Sequence, residues 1–354
     1  TTVRVNADGS TIRDWVSLGG TLFNCAGGTT PWGSWITCEE TVNGPDVGPD
    51  FRGQGGPPGQ PGTYPDPFAE KHGYIFEVPA DADSQVPAVP IRSAGRFAHE
   101  ACAWDNADKA LYMTEDNFLF PSGMYRYLPP TNANARKRID DGGELQMLKI
   151  VGEDCADLAF GRSAGDSWRV EWVTIDDPDP TFVGIPDNDI AIQAIGLQGF
   201  DKGAAKFSRL EGMTRKGRVL YLVSTQGGDP APDEPIEFGY GDGRGQIFAL
   251  DLATSTLTLV YESPSLDTLD LPDNVTITPR GTLLLCEDNS PDNYLRGLTR
   301  RGDIFDFCKN VVPGGDEEFA GATFSQDGKT LYVNIQGNVG ISFAIWGPWH
   351  KGPL

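Results

Sequence analysis

Glu318-Phe319-Ala320-Gly321-Ala322-Thr323-Phe324, followed by Gln326-Asp327-Gly328-Lys329 and then Leu331-Tyr332-Val333-Asn334-Ile335-Gln336, is the stretch that decides the fold. It reads as an acid-led apolar strand, a hairpin turn with Asp-Gly at its tip, and a second apolar strand that stops on polar side chains. The chain repeats the unit. Glu100–Trp104 leads through Asp105–Lys109 to Leu111, Glu211–Thr214 through Arg215–Gly217 to Val219, and Asp273–Ile277 through Pro279–Gly281 to Leu283. The second strands end alike, on Cys38-Glu39-Glu40, Thr114-Glu115-Asp116, Ser224-Thr225-Gln226, Cys286-Glu287-Asp288 and Asn334-Ile335-Gln336. A third strand of the form Gly-x-apolar-aromatic often follows, at Gly73–Phe76, Gly123–Tyr127 and Gly245–Ala249.

Repetition on this scale marks a radial or stacked architecture, and inner strand, turn, middle strand and outer strand make a propeller blade. The expectation is an all-β chain, a six-bladed β-propeller with loop and short-helix insertions. Five units are visible. Residues 1–24 are expected to supply strands to a closing blade, and a sixth unit is sought around 144–200, where Trp168–Val173 reads as a strand. We read residues 1–354 as one domain with insertions at about 41–72, a Pro/Gly-rich surface loop, and 176–208, with a short helix between Asp187 and Phe207.

Composition narrows the function. The formal net charge of −22 disfavours binding to nucleic acid, whose phosphates it would repel. No apolar run approaches the roughly 20 residues of a membrane span. Three histidines are too few for a His-rich zinc or iron triad, and the six cysteines at 25, 38, 102, 155, 286 and 308 form no CxxC pair. Pairings Cys286–Cys308 and Cys25–Cys102 are open, since connectivity is not readable from spacing. There is no Gly-x-Ser-x-Gly elbow with a downstream histidine and no Walker A motif. The glycine-rich run Gly53–Gly62 lacks a following helix and is a weak phosphate loop.

What remains is acid at strand ends. Carboxylates gathered in one place, with a cysteine among them, call for cations. Cys38 with Glu39 and Glu40 offers one soft and two hard ligands, and Glu100 opens an inner strand where a carboxylate has no packing role. His99 beside it reads as a structural histidine. Period-two alternation puts Arg209 and Glu211 on one side of an extended chain, so that Arg209 either faces an anion or pairs with Glu211. Asp273-Asn274 with Glu287-Asp288, and Glu317-Glu318, occupy equivalent places in later units.

These blocks resemble a known family, the PhoX-type alkaline phosphatases. The resemblance rests on Asn24-Cys25-Ala26-Gly27-Gly28-x-Thr30-Pro31-Trp32-Gly33-x-Trp35-x-Thr37-Cys38-Glu39-Glu40, Gly95-Arg96-Phe97-x-His99-Glu100, Arg209-x-Glu211-Gly212, Asp273-Asn274, Glu318-Phe319-x-Gly321 and Asn334-Ile335-Gln336. It implies hydrolysis of phosphate monoesters, and of diesters in some members, by two ferric ions and two to three calcium ions at the channel mouth. It implies Cys38 as the thiolate ligand of iron, Glu39, Glu100, Glu211, Asp273 and Glu318 as carboxylate ligands, and Arg209 as the clamp on substrate phosphate. Glu40, Glu115, Asn274, Glu287 and Asp288 become supporting or calcium-binding positions. Family members are exported folded by the twin-arginine route, so a chain that begins Thr1-Thr2-Val3 is expected to be a mature periplasmic or secreted monomer acting on small phosphate esters. The family's characterised phosphatases are longer and carry large insertions between blades. Two other readings compete: a calcium-dependent propeller lactonase or esterase, which has no place for a thiolate, and a non-catalytic secreted propeller with structural calcium.

Overall fold

The computed structural model describes residues 1–6, 9–49, 68–236, 238–289, 292–312, 317–337 and 340–354. The chain is all-β with few helices, and it forms two compact units. The first comprises Thr1–Arg4, Thr11–Asp157 and Val170–Leu210, the second Val5–Ser10, Leu158–Arg169 and Glu211–Leu354. Near the start, β1 (Thr2–Val5) and β2 (Thr11–Trp15) form a two-stranded sheet.

The first unit holds two antiparallel meanders. One is β3 (Asn24–Thr29), β4 (Ser34–Glu39) and β5 (Ile75–Pro79). The other is β6 (His99–Asp105), β7 (Ala110–Glu115), β8 (Met124–Leu128) and β9 (Glu144–Ile150). Every residue of β6 and β7 is buried, as expected of strands covered on both faces. Their hairpin is set by Asp105, whose carboxylate accepts from the Ala107 and Asp108 amides, an Asx turn of the kind that Asp at a strand end favours. β10 (Ser167–Thr174) is the strand expected at Trp168–Val173, and its residues Val170–Thr174 pair with β9. The helix expected in the second insertion is two short ones, α2 (Asn188–Ala191) and α3 (Ala194–Phe200); α1 (Ala133–Arg136) lies between β8 and β9. The core gathers Ile36, Cys38, Ile75, Phe97, Cys102, Trp104, Tyr125 and Met147.

In the second unit, β11 (Leu210–Lys216), β12 (Val219–Ser224), β13 (Gln246–Asp251) and β14 (Thr256–Glu262) form one meander, with Ser167–Arg169 of β10 paired to β14. β15 (Pro272–Ile277) to β18 (Ile304–Lys309), by way of β16 (Leu283–Glu287) and β17 (Tyr294–Leu298), form a second. β19 (Glu318–Phe324), β20 (Thr330–Gln336) and β21 (Ile341–Trp346) form a third, its first two strands making the hairpin expected over Glu318–Gln336.

One irregularity recurs. The register shifts in the first strand of four meanders, between Asn24 and Gly27, His99 and Cys102, Pro272 and Val275, and Ala320 and Thr323. A bulge twists a strand and re-aims its side chains, and three of these shifts contain Cys25, Glu100 and Asp273. Glycine at this level admits a neighbouring strand: a Cβ on Gly28 would overlap the Cys102 carbonyl, and one on Gly212 the Asp273 carbonyl.

The first insertion differs from a plain surface loop. Val42, Asn43, Val47 and His72 are buried, while residues 50–67, including the Gly53–Gly62 run, lie outside the described residues. No disulfide links any of the six cysteines, and among the described residues no helix is long and apolar enough to cross a membrane.

Candidate metal centre

In the first unit, one ligand atom each of Cys25, Glu40 and Glu100 lies within 4.8 Å of the others. β3 carries Cys25 into this group at its bulge, β6 carries Glu100 at its own, and Glu40 is the first residue past β4. One thiol and two carboxylates suit a transition-metal cation better than an all-oxygen calcium site. Cys38 stands behind the group. It is fully buried within the apolar core, and its thiol hydrogen-bonds with Cys102. Burial first, then the Cys102 contact, holds that thiol well above its usual range.

Glu39 does something else. Its Oε1 accepts from the Leu22 amide (2.9 Å) and contacts His72 Nδ1 (2.7 Å), and its Oε2 accepts from the amides of Gly73 (2.8 Å) and Tyr74 (3.1 Å). Both oxygens of this buried carboxylate are thus committed to tying the end of β4 to the residues that lead into β5. The same latch recurs. Glu115, at the end of β7, accepts from the Gly123 amide (2.8 Å) and the Tyr125 hydroxyl (2.9 Å) at the start of β8. Glu287, at the end of β16, accepts from the Asp270 amide, the Tyr294 amide and Arg296 Nε (2.8 Å). Burial pushes the Glu115 carboxyl up to about 8 against these donors, and Glu287 up to about 7 against the pull of Arg296.

The second acid of each pair faces elsewhere, because successive side chains of an extended chain alternate. Glu40 joins Cys25 and Glu100. Asp288 joins Asp273 and Glu318 in the second unit, again with ligand atoms within 4.8 Å of one another. Asp116 binds Arg209. Glu211 is buried and offers a carboxylate oxygen within 4.8 Å of one from Asp273. Asn274 bridges: its amide donates to Asp273 Oδ1 (2.8 Å), and its Oδ1 accepts from the Gly321 amide (2.8 Å). His99 is buried against Phe97, Nε2 contacts the Gly95 carbonyl, and burial pushes its pKa down to about 3, so it is a neutral structural residue.

Of the residues expected from sequence, Glu100 is brought into the first group and Asp273 and Glu318 into the second, with Glu211 beside Asp273. Cys38, Glu39 and Glu287 lie outside these groups, and Asn274 is hydrogen-bonded within the second. In the first group it is Cys25 and Glu40, neighbours in the same sequence block as Cys38 and Glu39, whose ligand atoms lie near Glu100. Asp288, expected from sequence to stand with Asp273, does so; Asp116 is not among the expected site residues. The alternation that separates paired acids was the available signal.

Three solved structures give the scale of likeness. PhoX of Pseudomonas fluorescens, determined with vanadate, a transition-state analogue, matches at TM-score 0.64 and 22% identity over 90% of this chain and 65% of that one. The chain therefore spans less than two thirds of that relative's length, and the match is one of fold. Virginiamycin B lyase of Staphylococcus aureus (TM-score 0.36, 11% identity, 92% of this chain and 70% of that) and the periplasmic gluconolactonase PpgL of Pseudomonas aeruginosa (0.36, 13%, 77% and 74%) are too distant to bear on the site. No curated protein matches the chain in sequence. The family model of alkaline phosphatase PhoX, however, matches residues 2–338, through the bulged strands, the paired acids and Arg209 alike. The chain belongs to the alkaline phosphatase PhoX family.

Proposed function

We propose that this chain is a metal-dependent phosphoric-ester hydrolase acting on small phosphate monoesters, with diesters as further substrates. The observation that carries the reading is the pair of ligand groups, Cys25 with Glu40 and Glu100, and Asp273 with Asp288 and Glu318. A chain of net charge −22 must receive an anionic substrate, and cations bound by these groups would supply the charge that offsets the phosphoryl oxygens. The donor sets fit such ions by their chemistry: the thiol-containing set suits iron, and the all-oxygen set suits calcium. Two ferric and two to three calcium ions is the complement we assign, with Glu211 contributing beside Asp273. Arg209 offers a planar fork that matches two oxygens of a phosphate. We read the recurring meanders as blades of a six-bladed propeller in one domain with insertions, and the protein as an exported monomer. Family membership and the Cys25 thiol favour this over the lactonase reading, since a calcium lactonase has no use for a thiolate. Protein purified with its native metals should turn over p-nitrophenyl phosphate and leave a simple lactone intact; the reverse pattern would refute the proposal.

A further inference from the structure

We infer that Asp116 and Phe118 are positioning residues for Arg209, fixing which edge of its guanidinium meets the substrate phosphate; this rests on the function proposed above. Asp116 Oδ1 accepts from Arg209 Nε (3.2 Å) and Oδ2 from Nη2 (3.0 Å), and the guanidinium carbon lies 5.1 Å from the Phe118 ring centroid. Asp116 thereby takes the side-on edge of the fork. The end-on edge, formed by Nη1 and Nη2, is turned away from Asp116, and its paired donors also match two phosphoryl oxygens. Phe118 constrains the plane of the same group.

The surrounding backbone holds both partners. Asp116 is 5% exposed, and its amide donates to the Ala98 carbonyl. The Asn117 amide donates to Ser122 Oγ, and Ser122 and Phe207 exchange amide–carbonyl bonds at 2.9 and 3.0 Å. The segment after β7 is thus tied to the residues just before Arg209. Arg209 itself sits at φ 41°, in the left-handed region that non-glycine residues seldom occupy. The cost of that conformation, next to a two-point ion pair on the same side chain, is what a site that fixes an arginine in advance requires.

The test is a double-mutant cycle on the metal-loaded protein. It reads the Kd for inorganic orthophosphate by calorimetry, and kcat and KM for p-nitrophenyl phosphate. Asp116→Ala should raise Kd and KM about tenfold with kcat little changed, equivalent to about 1.4 kcal/mol, and Asp116→Asn and Phe118→Leu each less, since each keeps part of the contact. In an Arg209→Ala background, Asp116→Ala should change Kd by less than about twofold, because the residue acts through Arg209. If Asp116→Ala does not fold, Asp116→Asn completes the same cycle. Wild-type Kd in the single variants, or an equal loss with and without Arg209, overturns the inference. Wild-type protein that binds orthophosphate without hydrolysing the ester sinks the enzymatic reading alone, and the cycle in Kd still decides the role of Asp116. Protein that binds no orthophosphate overturns both.

Discussion

Replacing Glu39 by alanine separates the two jobs that the paired acids perform. The carboxylate serves three backbone amides, those of Leu22, Gly73 and Tyr74, and the ring of His72. Gly73 and Tyr74 are buried and Leu22 is partly so. A buried donor left without its acceptor costs ~1–3 kcal/mol, so the two buried amides alone put the loss on the order of 2–6 kcal/mol, with the partly buried Leu22 amide adding to it. That is a large share of the ~5–15 kcal/mol that holds a typical protein folded. Glu40→Ala, one residue on, removes a partly exposed side chain while the Glu40 amide keeps its bond to the Phe23 carbonyl. Its cost in metal-free protein should stay within about 1 kcal/mol. The assay is urea unfolding of the metal-stripped variants beside elemental analysis of the loaded ones. Glu39→Ala should shift the unfolding midpoint far below wild type, whereas Glu40→Ala should unfold near wild type and lose bound metal. A Glu39→Ala protein that unfolds like wild type but arrives depleted of metal would refute the latch and restore Glu39 as a ligand.

The same logic predicts that Cys25→Ser loses metal, while Cys38→Ala keeps it and loses about 1–2 kcal/mol of packing, read by elemental analysis and by melting. Gly28→Ala should unfold the first unit or lower its melting temperature sharply, because the added Cβ would overlap the backbone carbonyl of Cys102, which cannot swing aside. Glu115 gives a pH signature. Its folded pKa of about 8 lies above its unfolded value, so its contribution is complete below roughly pH 4.5 and is lost as pH rises through about 8. Glu115→Gln should therefore flatten the decline in stability of metal-free protein between about pH 5 and 9, and an unchanged slope in pH-dependent urea midpoints would contradict the assignment.

The strands were legible because the Asp-Gly and Asn-rich turns fix hairpin positions and the apolar runs between them are the length of strands. β10 was visible from its own aromatic alternation, but its pairing is shared between its sequence neighbour β9 and β14, which lies more than eighty residues on. The acid-ended strands were visible too; their division of labour was not. Glu39 and Glu40 look alike in sequence, and what distinguishes them is a set of donors at Gly73 and Tyr74, more than thirty residues on. That Cys25 rather than Cys38 lies beside Glu40 and Glu100 has a local cause. The bulge between Asn24 and Gly27 re-aims Cys25, and a register shift of that kind leaves no mark beyond two glycines. Asp116 was hidden for the reason that makes it informative: its partner is 93 residues away.

The proposed hydrolysis of phosphate esters depends on cations held by these acid and thiol groups. Measuring iron, calcium and p-nitrophenyl phosphate turnover on one preparation, before and after chelation and after restoring the metals, tests it most directly. Both metals present with turnover, turnover abolished by chelation, and recovery on reloading is the predicted result. Iron and calcium bound in full with no turnover at any pH, or turnover indifferent to their removal, would contradict it.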